Sequence, residues 1–397
     1  MTGAAVLTSL RPDPATRTKR VFISAAEPSA DRHAADLIRA AQLADPSIRF
    51  LGIAGPHMVA AGCTRMYDLT RHAAMLMSAL GNLTRGAAAL SVADQCFRRF
   101  GFSAAVLVDS PMLHLPMAAK ARAAGVPVLY YIAPQLWAWG AYRIYKVRHR
   151  VDRLAVILPF EEEYFRNQGV DARFVGHPLA EQVGEFHVDP ARVAAIRAHG
   201  EPVIAILPGS RKHVVESVLP GQLEVAAGIA AQFGRATFVV SVANPQVGPT
   251  VEALVTRANS PIRVHPGPCA EAIRAADLVL VASGTAALEV AFHERPMIVM
   301  YNASPLFYHL IGRWMLQTPF LSLPNIIAGR AVVPEFMPYY RSTEPIVRSA
   351  LHLLTSQSRR RAMADDLRHL VDPLRERRAS LQTTTMLLDL IEQESKH

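Results

Sequence analysis

The sequence predicts an α/β protein in which two Rossmann-like parallel-sheet domains face each other across a cleft. Short, continuously apolar runs alternate with longer segments of helical pattern along the 397 residues. Continuous rather than alternating apolar runs are typical of parallel strands covered on both faces. About a dozen runs occur, roughly six in each half. A closed eight-fold barrel would need only eight strands.

The predicted strands fall into two sets. Those of the first half are 20–26, 49–54, 105–109, 128–133, 153–158 and 172–176, and those of the second half are 203–208, 237–243, 262–265, 278–282, 296–301 and 320–323. The ligands of open parallel sheets bind beyond the carboxyl ends of the strands. Two such sheets therefore suit an enzyme that joins two substrates.

The domain boundary is expected near residues 177–190, a polar segment with two prolines. This gives an N-terminal domain at 20–183 and a C-terminal domain at 184–357. Residues 1–19 lack an apolar signal-peptide core and are expected to be a disordered tail. Residues 358–397 carry Arg and Leu at helical spacing, and we expect helices that pack across the domains or onto a partner.

The composition indicates which classes of binding partner and which cellular compartment to expect. A net charge of +9 favours phosphorylated substrates or an acidic membrane surface. No dense basic run is interleaved with aromatic residues, so nucleic acid is not expected. The three cysteines are far apart, which indicates a reducing compartment and neither a disulfide framework nor a zinc site. Because no apolar stretch reaches the ~18–20 residues of a membrane span, a cytoplasmic location is expected.

Two strand–turn–helix segments of the second half could bind phosphate. Strand 203–208 is followed by Gly209, Ser210 and Arg211, and strand 278–282 by Ser283, Gly284 and Thr285. A helix start offers unpaired N–H groups and partial positive charge, and an Arg can clamp phosphate oxygens. Plain turns with surface side chains remain an alternative. Two such turns in one domain favour a nucleoside diphosphate. The P-loop pattern is absent, so magnesium-dependent phosphoryl transfer is not expected.

Acidic residues accompany these turns and the strands of the first half. Glu289 lies one helical turn past Thr285 and could accept hydrogen bonds from ribose hydroxyls, or form a surface ion pair. In the first half, Glu27 follows strand 20–26 and Asp109 ends strand 105–109. A carboxylate at this edge can take a proton from an attacking hydroxyl. Helix capping is the alternative, and it suits Asp31 better than Asp109.

Three further features have mainly structural interpretations. The apolar stretch 73–90 predicts a core helix, and an exposed Met/Leu face that receives acyl chains is the alternative. Trp137 and Trp139 are expected to brace the wall of the cleft or to line it. His177, in the linker, is expected to be structural.

Taken together, these segments resemble the lipid-A-disaccharide synthase family from about residue 20 to residue 340. The matching stretches are SAAEPSAD (24–31), GIAGPHM (52–58), VDSP (108–111), YYIAPQLWAW (130–139), LPFEEEYF (158–165), FVGHPLAE (174–181), ILPGSR (206–211), ASGTAALE (282–289) and SLPNIIAGR (322–330). Their order and spacing together make the resemblance specific.

The resemblance implies an inverting GT-B glycosyltransferase of lipid A and lipopolysaccharide biosynthesis. The family transfers a diacylated glucosamine from UDP to the 6-hydroxyl of diacylglucosamine 1-phosphate, which gives a β-1,6 disaccharide and UDP. It uses no metal or other cofactor, and it associates peripherally with the cytoplasmic face of the inner membrane. A homodimer is an open alternative. Another UDP-sugar transferase of the same architecture, or a divergent paralogue that binds UDP-sugar or acylated sugar without turnover, are the other interpretations.

Site residues also follow from the resemblance. Asp109 would be the general base and Glu27 would lie near the acceptor. The residues that would hold UDP are Gly209, Ser210, Arg211, Ser283, Gly284, Thr285, Glu289 and Asn325. Those expected to contact the acceptor or its lipid are Ser29, Asp31, Met75, Met77 and Leu80. The chain departs from the family pattern mostly in the acceptor half, where alanine replaces two glycines at Ala26 and Ala30, and Met112 and His114 replace Asp and Asn.

Overall fold

A computed structural model describes residues 18–69, 79–138, 140–185, 188–258, 262–303 and 318–394. The chain divides into two compact units. Residues up to Pro178 and those from Arg377 onward form the first, and Leu179–Glu376 form the second. The division falls near the proline-containing segment 177–190. The C-terminal segment 358–397 is divided between the two units, because the chain returns to the first unit at Arg377.

The described residues form two sheets and their covering helices. The strands are β1 Lys19–Ala25, β2 Ile48–Ile53, β3 Thr64–Tyr67, β4 Ala104–Val108, β5 Val128–Tyr131, β6 Arg153–Val156, β7 Ala172–Phe174, β8 Val203–Leu207, β9 Thr237–Ser241, β10 Ile262–His265, β11 Leu278–Ala282, β12 Met297–Met300 and β13 Glu335–Phe336. The helices are α1 Pro28–Ala44, α2 Pro56–Ala60, α3 Ala79–Arg99, α4 Pro111–Ala123, α5 Ile144–Arg150, α6 Pro159–Asn167, α7 Pro178–Glu185, α8 Pro190–Arg197, α9 Lys212–Ala230, α10 Gly248–Arg257, α11 Cys269–Ala275, α12 Thr285–Phe292, α13 Leu323–Ala328, α14 Glu344–Leu354, α15 Gln357–Arg375 and α16 Ala379–Glu394.

Both sheets are parallel. The first has seven strands in the order β3-β2-β1-β4-β5-β6-β7, and the second has six in the order β10-β9-β8-β11-β12-β13. The central strands β4, β8 and β11 are buried along their whole length, which explains their continuous apolar sequences. The prediction of two Rossmann-like parallel sheets is confirmed.

Helix α16 completes the first unit. It packs against α1 and lies near β4, β5 and β6. Its buried side chains Met386, Leu387, Leu390 and Ile391 recur at helical spacing and belong to the same core cluster as those of α1. Arg377 anchors the chain where it returns, because its guanidinium donates a 2.7 Å hydrogen bond to the Phe174 carbonyl of β7.

Two strand predictions differ from the structure. Strand β3 has the polar sequence Thr-Arg-Met-Tyr at the sheet edge and gave no apolar run to recognise. The predicted strand 320–323 is wrong. Helix α13 begins at Leu323 with Pro324 in its first turn, where the missing N–H costs nothing. The edge strand is instead β13, which pairs with β12.

Within the part of the chain that the structure describes, no helix is both long enough and apolar enough to cross a bilayer.

Candidate active site

Glu27 and Asp109 lie at one edge of the first sheet. β1 and β4 are hydrogen-bonded neighbours, with Ala25 opposite Val108, and the strand order reverses between them. Glu27 follows β1 and Asp109 follows β4. The carboxyl ends of parallel strands at such a reversal form the crevice where ligands of this fold class bind.

The backbone at Asp109 is strained. Asp109 and Ser110 have φ angles of 56° and 46°, in the left-handed region that residues other than glycine seldom occupy. Three hydrogen bonds hold the Asp109 peptide groups. The Asp109 carbonyl accepts from the Tyr130 hydroxyl at 2.5 Å and from His114 Nδ1 at 2.7 Å, and the Asp109 N–H donates to the Tyr131 carbonyl at 2.9 Å. Strain that the surroundings fix in this way is typical of functional sites.

His114 links this turn to β1. Its side chain is fully buried, and burial lowers its pKa to about 4, so the ring is neutral at neutral pH. A carbonyl can only accept, so Nδ1 carries the proton and donates it to Asp109. Nε2 must then accept from the Ser24 hydroxyl, which lies 2.8 Å away. The neutral histidine thus has one defined tautomer, which connects β1 to the Asp109 turn.

The Asp109 carboxylate is half-buried. Burial raises its pKa and the negative charge of Glu27 raises it further, whereas a hydrogen bond from the Ser110 backbone acts in the opposite direction. The net shift is upward. A raised pKa brings a carboxylate closer to the basicity that a general base needs near neutral pH.

The expectation that Asp31 contacts the acceptor must be corrected. Asp31 is almost completely buried, and its two oxygens accept hydrogen bonds from the backbone N–H groups of Gly55, His57 and Met58 at 2.9, 2.9 and 3.2 Å. The carboxylate therefore caps the start of α2. Its neighbours Glu27 and Ser29 are exposed at the start of α1.

The side chains of the three residues that were expected to contact lipid lie outside the part of the chain that the structure describes. Met75 and Met77 lie outside the described residues. Leu80 belongs to α3, but its side chain lies outside them as well. The described part of the apolar stretch forms the first half of α3, where Ala89 is buried and Thr84 is exposed.

The second sheet repeats the arrangement of the first. β8 and β11 are neighbours, with Leu207 opposite Val281, and the strand order reverses between them. The turns 209–211 and 283–285 follow these two strands and therefore lie side by side at one edge of the sheet. A Cβ built on Gly209 would lie 3.7 Å from the Cβ of Ala282. This edge presents the starts of α9 and α12 together.

Glycine is required at both turns. Gly209 has a φ of 106°, and a Cβ there would lie only 2.9 Å from a methyl group of Val214. Gly284 has φ 141° and ψ −161°, a region that essentially only glycine occupies. Apart from its chain neighbours, no atom of the described residues lies within 4 Å of the position that a Gly284 Cβ would take. The adjacent residues Ser210, Arg211 and Thr285 are exposed there.

Polar side chains support this edge. Asn244, which follows β9, donates to the Ser210 carbonyl at 2.9 Å. The Glu289 carboxylate accepts a hydrogen bond from the thiol of Cys269 at 3.0 Å, and burial raises the pKa of Glu289. Glu289 lies on α12, one turn beyond Thr285, where it is half-buried and forms no ion pair with any described residue.

Asn325 requires a correction. It is fully buried, and its amide nitrogen donates to the Val333 carbonyl and to Glu335, at 2.9 Å each. Its amide oxygen accepts from the backbone of Val332 at 2.8 Å and of Val333 at 3.0 Å. Both amide hydrogens are therefore used inside the protein, and none is left for UDP. Asn325 shapes the turn that leads into β13.

Trp137 braces the first unit. Its indole N–H donates to Glu161 at 2.9 Å and its ring meets Phe160 edge-on at 5.0 Å. Burial raises the pKa of Glu161 to about 7. Trp139 lies outside the described residues. His177 is buried, which lowers its pKa to about 3, so the ring is uncharged.

The sequence did not reveal the residues that hold Asp109. Ser24, His114 and Tyr130 come from β1, α4 and β5, and their pairing depends on the fold. Ser24 and His114 are 90 residues apart. One signal was present, because Ser24 and Tyr130 lie in stretches that match the family and His114 replaces a family residue.

Solved structures have the same architecture. MurG from Acinetobacter baumannii matches with a TM-score of 0.54 at 14% identity, covering 94% of this chain and 99% of that one. The UDP-N-acetylglucosamine 2-epimerase from Neisseria meningitidis, solved with UDP-GlcNAc bound, matches with a TM-score of 0.60 at 12% identity, covering 94% and 100%. At these identities the likeness concerns the fold alone. Two Rossmann-type units of this kind define the GT-B class.

The family follows from the sequence comparison. The family model of lipid-A-disaccharide synthetase matches residues 21–388. The lipid-A-disaccharide synthase of Syntrophus aciditrophicus (strain SB) is 36% identical over 382 residues, covering 94% of this chain and 98% of the relative. That of Myxococcus xanthus (strain DK1622) is 34% identical over 388 residues, covering 95% and 98%. The chain belongs to the lipid-A-disaccharide synthase family and is a glycosyltransferase.

Proposed function

We propose that the chain transfers a 2,3-diacylglucosamine unit from UDP to the 6-hydroxyl of 2,3-diacylglucosamine 1-phosphate, with inversion, giving a β-1,6 disaccharide and UDP. Family membership supplies the reaction class. The observation that carries the proposal is the pair of helix starts at residues 209–211 and 283–285, which lie side by side at the carboxyl edge of the second sheet.

The proposed donor site uses these two helix starts. The N–H groups of α9 and α12 would bind the diphosphate oxygens, and Gly209 and Gly284 allow the backbone to approach them closely. Ser210, Ser283 and Thr285 would donate hydroxyl hydrogen bonds, Arg211 would pair with the phosphates, and the Glu289 carboxylate would accept from the ribose. The partial positive charge of the two helices also stabilises the charge that develops on UDP as it leaves.

The proposed acceptor chemistry uses Asp109. Its carboxylate takes the proton of the acceptor 6-hydroxyl as that oxygen attacks the anomeric carbon. The bond between this carbon and UDP breaks, and UDP leaves with the electron pair. An α-linked donor gives a β-linked product in one such displacement. Glu27 raises the basicity of Asp109 through its charge, and Glu27 and the exposed Ser29 would contact the acceptor.

The direct test is an assay with purified protein, UDP-2,3-diacylglucosamine and 2,3-diacylglucosamine 1-phosphate. We expect one UDP for each disaccharide formed. UDP without disaccharide would indicate a different acceptor, and binding of UDP without turnover would indicate a non-catalytic paralogue. Either result would contradict the proposal.

The proposed location is the cytoplasmic face of the inner membrane, with peripheral attachment. Both proposed substrates carry acyl chains and therefore reside in a lipid surface. The net charge of +9 favours attraction to anionic lipid.

The Arg211→Ala variant tests the donor site. A charge-assisted hydrogen bond contributes about 1.5–3 kcal/mol, so we expect UDP to bind roughly tenfold or more weakly. Isothermal titration calorimetry measures the change. Arg235→Ala is the matched control, because this exposed arginine precedes β9 and so lies at the opposite edge of the same sheet. Equal affinity in the two variants would mean that Gly209-Ser210-Arg211 is an ordinary turn.

A further inference from the structure

A cavity lies in the second unit, away from the proposed donor site. Its volume is about 640 Å³. Its lining comes from α8, from the end of α11, from the segment between α12 and β12, and from the end of α15. Helix α8, helix α11 and residues 293–296 lead into the amino ends of the parallel strands β8, β11 and β12. The turns after β8 and β11 lie at the carboxyl ends, so the cavity is at the other edge of the sheet.

Four arginines line the cavity: Arg197, Arg274, Arg295 and Arg375. The one lining carboxylate, Glu294, already accepts hydrogen bonds from Arg375 and Arg368, at 3.0 Å each. Arg197 pairs with Asp277 at 3.0 Å. Among the described residues, neither Arg274 nor Arg295 forms an ion pair, although the charges of Asp277 and Glu294 also act on Arg295. The cavity therefore has an excess of positive charge.

Two buried polar atoms in the lining have no partner within the described part of the protein, His293 Nε2 and Arg295 Nε. Buried groups of this kind are nearly always hydrogen-bonded in folded proteins. Burial and, to a smaller extent, the charges of Arg274, Arg295 and Arg375 together lower the pKa of His293 to about 4. These three guanidinium groups thus act on one point of the lining, although they come from three different segments.

The remaining wall is apolar, formed by Val188, Pro190, Val193, Ala194 and Phe292. The volume falls in the range of pockets that hold small organic molecules and exceeds what a bare ion requires. From the excess of guanidinium groups and this apolar wall, we infer that the cavity binds a phosphate group attached to a less polar body. A dianionic phosphate matches several guanidinium groups better than a single carboxylate does.

The phosphate could belong to a soluble phosphate compound or to a phospholipid headgroup, and two arms of one experiment separate these sources. Inorganic phosphate is titrated into the full-length protein by calorimetry, with UDP at saturation. Co-sedimentation with phosphatidic acid vesicles and with phosphatidylcholine vesicles forms the second arm. We expect saturable binding in at least one arm, and Arg274→Ala should weaken it by about tenfold or more.

Arg257→Ala is the matched control. Like Arg274, Arg257 is exposed in the last turn of a helix in the same unit, but it does not line the cavity. Unchanged thermal midpoints without ligand would show that both variants are folded. No saturable binding in either arm, or equal binding by the Arg274→Ala and Arg257→Ala variants, would overturn the inference.

Discussion

Replacing Asp109 by asparagine is expected to lower kcat by about 10²–10⁴-fold, the range typical of general acid–base catalysis. Asparagine keeps the size and polarity of the side chain but cannot take the acceptor proton. Because the Asp109 backbone is held by Tyr130, His114 and Tyr131, the turn should keep its shape. UDP affinity should be unchanged, because the proposed UDP contacts all belong to the second unit.

The measurement is single-turnover disaccharide formation, paired with UDP titration. Asp171→Asn is a suitable control, since this side chain lies in the same unit and is 67% exposed. Turnover equal to that of the unsubstituted enzyme would exclude Asp109 as the base. Loss of UDP binding together with turnover would point to a structural role instead.

The pH dependence of turnover should also reflect the role of Asp109 as the base. A base must be deprotonated, and burial raises the pKa of Asp109. Activity is therefore expected to fall, as the pH is lowered, at a higher pH than an exposed aspartate would give. Glu27→Gln removes the neighbouring charge, so the acidic limb should shift to lower pH.

The largest stability effect is expected for Asp31→Ala. Three backbone N–H groups at the start of α2 would lose their acceptor at a buried position. Losses at helix caps and at buried hydrogen bonds suggest about 2–4 kcal/mol of unfolding free energy. Urea unfolding followed by tryptophan fluorescence measures it.

Asp31→Asn is an informative companion, because it keeps one acceptor oxygen and should lose less. Asp36→Ala, on the same helix, removes an ion pair with the exposed Arg39 and is expected to cost under about 1 kcal/mol. A loss for Asp31→Ala no larger than that of Asp36→Ala would contradict the capping role.

The sequence predicted the fold because buried parallel strands have a distinctive composition. β4, β8 and β11 are uninterrupted apolar runs, and the polar residues that follow such runs must gather at one edge of a sheet. The strands that escaped, β3 and β13, lie at sheet edges, are short and include polar residues, so apolar content could not reveal them.

The same reasoning explains which site residues were misjudged. Sequence position placed Asp31 and Asn325 beside the expected ligands, but the chemistry of a polar residue depends on which donors surround it. The side-chain oxygens of both residues accept hydrogen bonds from backbone N–H groups of other segments of the chain. The contribution of His114 depended likewise on Ser24, 90 residues away, and on which ring nitrogen carries the proton.

The return of the chain at Arg377 has a consequence for biosynthesis. Helix α1 is translated early. The helix that covers part of its apolar surface, α16, is translated after all of the second unit. The nascent first unit must therefore wait for nearly two hundred further residues before its core closes. During that interval its uncovered surface is open to chaperones or to a neighbouring nascent chain.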